Sequence, residues 1–350
     1  MGNLKEGRTT VYNTITTPEK LEQVNKENME LENDFLDYLA STDKSKETIK
    51  QYRANLHIFW CWNLEYNNNK FFVKLTKREL TRFQSHALNE WGWSSRRTRT
   101  VKATLSSLSN YIENILDEDY KGFKSIVSKI ESPVDVPARE KSIFQEDELK
   151  PLLDYLVENK EYMKACALSL AMNGGRRKAE LPRFKVGYFR PEYTICNGAL
   201  YKTPEKIKTK GRGSKGKLIE LYTLASPFNP YLNLWLEERR NLGIISEWLF
   251  PKKTAEGWED APIPVTTLDS WARTFSAFLG KPFYWHSMRH YFTTRLVSYD
   301  IPSAVIQDVI GWDSADMVNR YDDTEKDERF EKYFGVDGIK SVRPMKLEEL

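Results

Sequence analysis

The sequence predicts a mainly α protein with a small β-sheet, organised as an all-helical unit followed by an α+β unit. Three observations carry this reading. Apolar residues recur at helical spacing through roughly the first 130 positions. Positions 131–140 then hold Pro133 and Pro137 with no helical period, which reads as an extended linker. Between 186 and 222 the pattern changes to short strand-like runs separated by glycines.

The elements follow in order. Residues 1–30 are polar and weakly periodic, an arm or short lead-in helix. Leu31, Phe35, Tyr38 and Leu39 form the first helical stripe. Ser45 is placed to cap a helix whose face is Ile49, Tyr52, Leu56, Phe59 and Trp60. Tyr66-Asn67-Asn68-Asn69 reads as a loop, Phe71-Phe72-Val73 as a short connector, and Thr76 to about Trp91 as a helix. Ser94 or Ser95 caps the next helix, with Val101, Leu105, Leu108, Ile112 and Ile115 inward. Beyond the linker, Leu149, Leu152, Leu153 and Leu156 keep helical spacing behind the acidic Glu146, Asp147 and Glu148. Tyr162 to about Met172 is nearly all apolar, the pattern of a buried helix. Tyr193–Cys196, Ala199–Tyr201 and Leu218–Tyr222 read as strands, and helices return near 228–240 and 266–279.

Composition limits the function. The chain has 350 residues, 40% hydrophobic and 29% charged, which describes a soluble globular protein long enough for two cores. No run of about 18 apolar residues is present, so no membrane span or membrane partner is expected. The first residues, MGNLKEGRTT, lack the apolar stretch of a signal peptide. Cys61, Cys166 and Cys196 are too few and scattered for a disulfide framework or zinc site. Their largely apolar surroundings predict buried thiols in a reducing compartment.

Net charge is only +3, but its distribution is uneven. From Arg176 to Lys217 there are 13 Lys/Arg against 3 Asp/Glu; the first 50 residues carry 7 against 10. A positive field concentrated in one segment fits a polyanion binder. A solvated face balanced by acids elsewhere would give the same count. Arg96, Arg97, Arg99 and Lys102 fall in the first two turns of their helix, where cations oppose the helix dipole. A phosphate backbone would favour them there.

Chemistry concentrates at His286-Ser287-Met288-Arg289-His290, read with Gly311-Trp312 and Tyr321. The chain has only 4 histidines, and His286 and His290 are two of them. A phosphodiester under attack needs fixed positive donors on its non-bridging oxygens and proton management at the attacking and leaving oxygens. Arginine supplies the rigid fork and histidine a donor usable near neutral pH. In Gly175-x-Arg177-x-x-Glu180-Leu181, helical spacing would put Arg177 and Glu180 one turn apart, with Glu180 orienting the guanidinium and Leu181 in the core. The stretch 206–217 has six basic residues among twelve, no acid and three glycines. Lys206, Lys208, Lys210 and Arg212 alternate, so one strand face presents them all.

In this order, these residues resemble the tyrosine recombinase (phage integrase) family. Arg177 matches the first catalytic arginine of its G-x-R-x-x-E-L box. His286, Arg289 and His290 match H-x-x-R-H, and Gly311, Trp312 and Tyr321 match the glycine-histidine motif with tyrosine nine positions on. Trp312 stands where histidine is commoner, as in the Cre-like members. The basic hairpin resembles the one that carries the family's catalytic lysine. Its loop is longer than usual; Lys210 fits best, with Lys208 and Arg212 as the alternatives. The likeness is strong over 145–325 and weaker over 31–130.

The resemblance implies a C-shaped DNA clamp: an arm (1–30), a helical core-binding domain (31–130), a linker (131–144), an α+β catalytic domain (145–325) and a tail (326–350). It implies that Tyr321 forms a 3′-phosphotyrosine, that Arg177 and Arg289 clamp the phosphate with His286 and Trp312, and that Lys210 protonates the leaving oxygen. The phosphotyrosine conserves the bond energy, so neither nucleotide cofactor nor metal is required. Arg176, Lys208, Arg212 and Lys215 join Arg96, Arg97, Arg99 and Lys102 as expected phosphate contacts. The partners implied are double-stranded DNA with recombination or operator half-sites and further copies of the chain, dimer to tetramer. Phe330, Tyr333 and Phe334 on a tail helix would dock on a neighbouring copy, the alternative being a helix folded on its own core. A cytoplasmic, nucleoid-associated protein is expected. Two other readings share the fold or the chemistry: a DNA-binding regulator without strand transfer, and a type IB topoisomerase-like enzyme.

Overall fold

A computed structural model describes residues 14–134, 144–209, 211, 216–314, 318, 334–335 and 338–339. The chain falls into two compact units. Met1–Glu140 forms the body of one, and Lys141–Lys210 with Lys217–Leu350 forms the other.

The first unit is helical: α1 (Pro18–Gln23), α2 (Lys26–Ser41), α3 (Lys46–Tyr66), α4 (Lys77–Asn89) and α5 (Ser95–Asn114). The starts are set by caps that satisfy otherwise orphaned N–H groups. Ser45 accepts from Thr48 N, Ser94 from Arg97 N, and Thr76 with Glu79 forms a reciprocal capping box. The stripes read from the sequence meet in one core that includes Leu31, Phe35, Leu56, Phe59, Val101, Leu105 and Ile112. Packing begins ahead of Leu31, because Val24 lies in this core and the buried Asn28 bonds Lys70 O and Phe72 N. Glu32 is also interior, where it accepts from Trp60 Nε1 at 2.7 Å and bonds His57 Nε2 at 2.9 Å.

The second unit opens with α6 (Glu146–Glu158) and α7 (Tyr162–Gly174). From Ala165 to Gly174 every residue of α7 is buried, as its unbroken apolar run requires. Next come β1 (Thr194–Ile195), β2 (Leu200–Lys202), β3 (Ile207–Thr209), β4 (Lys217–Ile219), β5 (Tyr222–Leu224) and α8 (Ala225–Asn241). The hairpin of β6 (Pro251–Thr254) and β7 (Gly257–Pro262) leads to α9 (Val265–Leu279), α10 (Trp285–Ser298) and α11 (Ser303–Ile310). The mainly α fold with small sheets is as the sequence predicts.

Several details differ. The single strand read at 218–222 is two: β4 pairs with β3, whereas β5 pairs with β2 in the antiparallel sheet β1-β2-β5. The break at Glu220-Leu221 lets the buried Leu221 enter the core. Cys196 is exposed, unlike the buried Cys61 and Cys166. It sits with φ of 53° in the turn joining β1 to β2, where no core can cover it. Of the tail, Phe334–Gly335 forms a short strand paired with Gly338–Ile339, so Phe334 is not helical. Phe330 and Tyr333 lie outside the described residues, as does most of the linker. Among the described residues, no helix is long and apolar enough to cross a membrane.

Candidate active site

The site is built where two helices end. Gly175 closes α7 in the left-handed region, at φ 61°. A Cβ there would lie 2.7 Å from Phe292 Cδ1 and 2.8 Å from Ile310 Cδ1, so the position needs glycine for both conformation and space. Gly311 closes α11 in the same way, at φ 77°, against the side chain of Ile219 on β4.

Arg177 follows the first of these ends. The sequence reading put Arg177 and Glu180 on one helix; because Gly175 has already ended α7, they occupy a turn instead. Their contact survives the change. Glu180, with 2% of its side chain exposed, accepts from Arg177 Nη1 and from Arg177 N, both at 2.9 Å. About a quarter of the Arg177 side chain remains open (26%). Leu181 is buried.

The helix α10 carries both members of the histidine–arginine box. His286 lies exposed in its first turn, at the positive end of the helix dipole, which favours an anion. Arg289 points inward and is 1% exposed. Its Nη1 donates to Gly175 O and its Nη2 to Ile310 O, each at 3.0 Å. Its guanidinium lies 5.1 Å from the centre of the Trp312 ring, a cation–π distance. Trp312 packs with Phe292, Ile306, Ile310 and Val318. Val318 is the last described residue before Tyr321, which itself lies outside the described residues. The structure therefore brings Arg177, Arg289 and Trp312 to one pair of helix ends, with His286 at the exposed start of α10.

The hairpin β3–β4 borders this place. Its register sets Lys208 opposite Leu218 and Thr209 opposite Lys217. Lys206 and Lys208 are exposed while Ile207 and Thr209 are buried, the alternation the sequence predicts for them. The Lys208 carbonyl accepts from the Arg183 guanidinium, and Lys217 pairs with Asp313, next to Trp312. Lys210, Arg212 and Lys215 lie outside the described residues.

The sequence profile of the phage integrase family matches residues 142–328, and that of the phage integrase N-terminal SAM-like domain matches residues 31–122. The chain belongs to the phage integrase family. It is 34% identical over 249 residues, 68% of this chain and 72% of the other, to the SPbeta prophage-derived recombinase-like protein YomM of Bacillus subtilis (strain 168). Solved structures with a similar fold include the XerH site-specific recombinase bound to palindromic difH substrate, in a post-cleavage complex. It is 18% identical, covers 94% of this chain and 93% of that one, and has a TM-score of 0.61. The Tn1549 transposon integrase with transposon right-end DNA is 14% identical, covers 86% and 98%, and gives 0.62. A lambda integrase dimer on a COC′ core site is 14% identical, covers 85% and 96%, and gives 0.59.

Within this phage integrase family member, some cations expected at the surface are used internally. Arg176 is wholly buried; it donates through Nε to Gly174 O and through Nη2 to Val309 O at 3.0 Å. Burial pulls its guanidinium down to about 10, so it remains charged at neutral pH. Lys102 does not face outward either: its ammonium binds Ile130 O and, at 2.8 Å, Ser132 Oγ. Burial, then the neighbouring Arg99, holds that ammonium below the usual lysine value. Arg97 stacks over Trp93 at 5.1 Å and bonds Asn55 Oδ1. Arg96 and Arg99 are exposed and line a groove of about 370 Å³ with Gln51, Tyr52 and Asn55. Arg99 also donates to Pro133 O at 2.9 Å.

The basic excess of 176–217 is likewise partly balanced. Lys178, Lys185, Lys202 and Lys217 pair with Asp269, Glu247, Glu220 and Asp313, acids that lie beyond the counted segment. Among the described residues, no group of three His, Cys, Asp or Glu side chains is placed to hold a metal ion.

Proposed function

We propose that this chain is a site-specific DNA recombinase of a phage or other mobile element, which cleaves and rejoins double-stranded DNA through a 3′-phosphotyrosine. The observation that carries the reading is the bond from Arg289 Nη1 to Gly175 O at 3.0 Å. It ties the second arginine of the family's pattern to the loop that presents the first, Arg177, two residues on. A phosphate lying across these helix ends meets the partly open guanidinium of Arg177 and has the buried charge of Arg289 at the same pair of ends, two positive charges for the negative charge that builds on a five-coordinate phosphorus.

In this mechanism the phenolic oxygen of Tyr321 attacks phosphorus in line, and the bond to the 5′-oxygen breaks. Lys210, on the hairpin whose base is β3–β4, gives a proton to that leaving oxygen; Lys208 and Arg212 are the alternatives for this step. Arg177 and Arg289 hold the non-bridging oxygens, and His286 and Trp312 hydrogen-bond the same phosphate. A 5′-hydroxyl from a second strand reverses the steps. The exposed Arg96 and Arg99 contact the phosphate backbone from the helical unit. Copies assemble on paired half-sites as a dimer to tetramer through the tail, and the protein works in the cytoplasm on the nucleoid.

A covalent-trapping assay tests this. With nicked DNA carrying its cognate site, the protein is expected to form an adduct that survives a denaturing gel, and Tyr321→Phe to form none. Tight DNA binding without any adduct would overturn the enzyme reading and leave a regulator built on the recombinase fold.

A further inference from the structure

Two guanidiniums lie buried between two helix C-termini. Arg176 joins Gly174 O to Val309 O, and Arg289 joins Gly175 O to Ile310 O. The acceptors are consecutive carbonyls at the end of α7 and consecutive carbonyls at the end of α11. Each end carries unsatisfied carbonyls and about half a negative charge. Brought together, they repel unless cations lie between them. Arg289 has a place in the reaction proposed above; Arg176 has none.

Arg176 is a costly residue to keep inside. Burying a guanidinium is penalised by several kcal/mol unless its donors are met, and an apolar side chain of similar length would fill the space without that penalty. Among the described residues Arg176 makes no ion pair, and its Nη1 has no hydrogen-bond partner. What it provides is attachment. Gly311 and Trp312 follow directly on the carbonyl pair at Val309 and Ile310, and both of their amides close the helix end on Gln307 O, at 2.8 and 3.0 Å.

We propose that Arg176 is a positioning residue for strand cleavage. It keeps the end of α11, and with it Trp312, against the loop that presents Arg177. The two helix ends then stay together when Arg289 turns its donors to the phosphate. This role rests on the recombinase reading; the attachment of the helix ends does not, so the two are tested separately.

The experiment uses full-length R176M and R176K beside the wild-type chain. Without DNA, hydrogen exchange is followed at the Gly311 and Trp312 amides. In R176M these are expected to exchange at least about tenfold faster, while amides in the middle of α7 keep their protection. With nicked cognate DNA, R176M is expected to bind within about twofold of wild type but to form adduct about 100-fold more slowly. R176K, which restores one donor, is expected to recover about tenfold of that loss. Adduct formation by R176M at the wild-type rate would overturn the proposal, as would loss of affinity and rate by the same factor. Should R176M not fold, R176K decides: slower cleavage at unchanged affinity supports the role, and wild-type cleavage removes it. If the wild-type chain itself forms no adduct, the recombinase reading fails. The exchange comparison still judges the attachment, and unchanged exchange at Gly311 and Trp312 overturns it.

Discussion

Glu180 holds Arg177 at two points, accepting from its backbone N–H through one carboxylate oxygen and from its guanidinium through the other, both at 2.9 Å. The carboxylate is buried and the guanidinium is partly open, so the pair presents a fixed fork to whatever lies outside. Replacing Glu180 by Ala frees the fork and strips the turn of its acceptor. The expected result is a loss of about 2 kcal/mol in stability and a cleavage rate lower by about 100-fold. Glu180→Gln keeps one acceptor and is expected to lose less of both. Thermal unfolding and single-turnover cleavage measure the two effects; a Glu180→Ala chain that cleaves at the wild-type rate would remove Glu180 from the site.

Gly175 has no room for a methyl group. Ala in its place must hold φ near 61° and push against Phe292 and Ile310. Strain and overpacking together are expected to destabilise the second unit by about 2–4 kcal/mol. A melting temperature within a degree of wild type for Gly175→Ala would contradict the packing described.

Arg96 and Lys102 are expected to separate cleanly. Arg96 faces the groove beside α3, so Arg96→Ala should weaken DNA binding and lower the slope of log affinity against log salt by about 1. Lys102 is spent on Ile130 and Ser132. Lys102→Ala should leave that slope unchanged and lower the melting temperature of the helical unit by roughly 4–8 °C. Salt titrations of binding, run beside melting curves, distinguish the two; equal slopes for the two variants would refute the assignment.

His86 gives the helical unit a pH dependence. Its ring packs against Tyr66 at 4.4 Å and Trp91 at 4.9 Å, and its Nε2 is buried. Burial holds the imidazole below its ordinary value of 6.5. The unfolded chain therefore takes up the proton more readily than the folded one. The stability that neutral His86 contributes is complete above pH 6.5 and is lost as pH falls from there towards the lower folded value. Between pH 7 and pH 5 the wild type should lose more stability than His86→Phe. Parallel curves for the two chains would show that His86 is not the titrating group.

Helices were legible in the sequence because their apolar periods and caps are local. Ser45, Thr76 and Ser94 each sit one residue ahead of the helix they start. The end of α7 was less so, because the spacing of Arg177 and Glu180 reads as one more helical turn, whereas the left-handed backbone at Gly175 stops the helix before them. Side-chain destinations were not. Arg176 counts as one more surface cation in a basic run, and nothing local says that the carbonyls of Val309 and Gly174 will surround it. Lys102 is the same case, since its partners lie 28 and 30 positions away. Pro251-Lys252-Lys253-Thr254 gave no strand signal, yet it pairs with Gly257–Pro262 because Lys252 and Glu259 face each other across the ladder.

The turn that exposes Cys196 also makes the protein convenient to label. Burial pushes the Cys61 thiol up to about 11 and the Cys166 thiol well above its ordinary value, so neither supplies thiolate at neutral pH. A maleimide dye added to the folded chain should therefore attach once, at the tip between β1 and β2. A single fluorophore placed there, without any cysteine being removed, reports the tumbling of the second unit by fluorescence anisotropy as it meets a longer duplex.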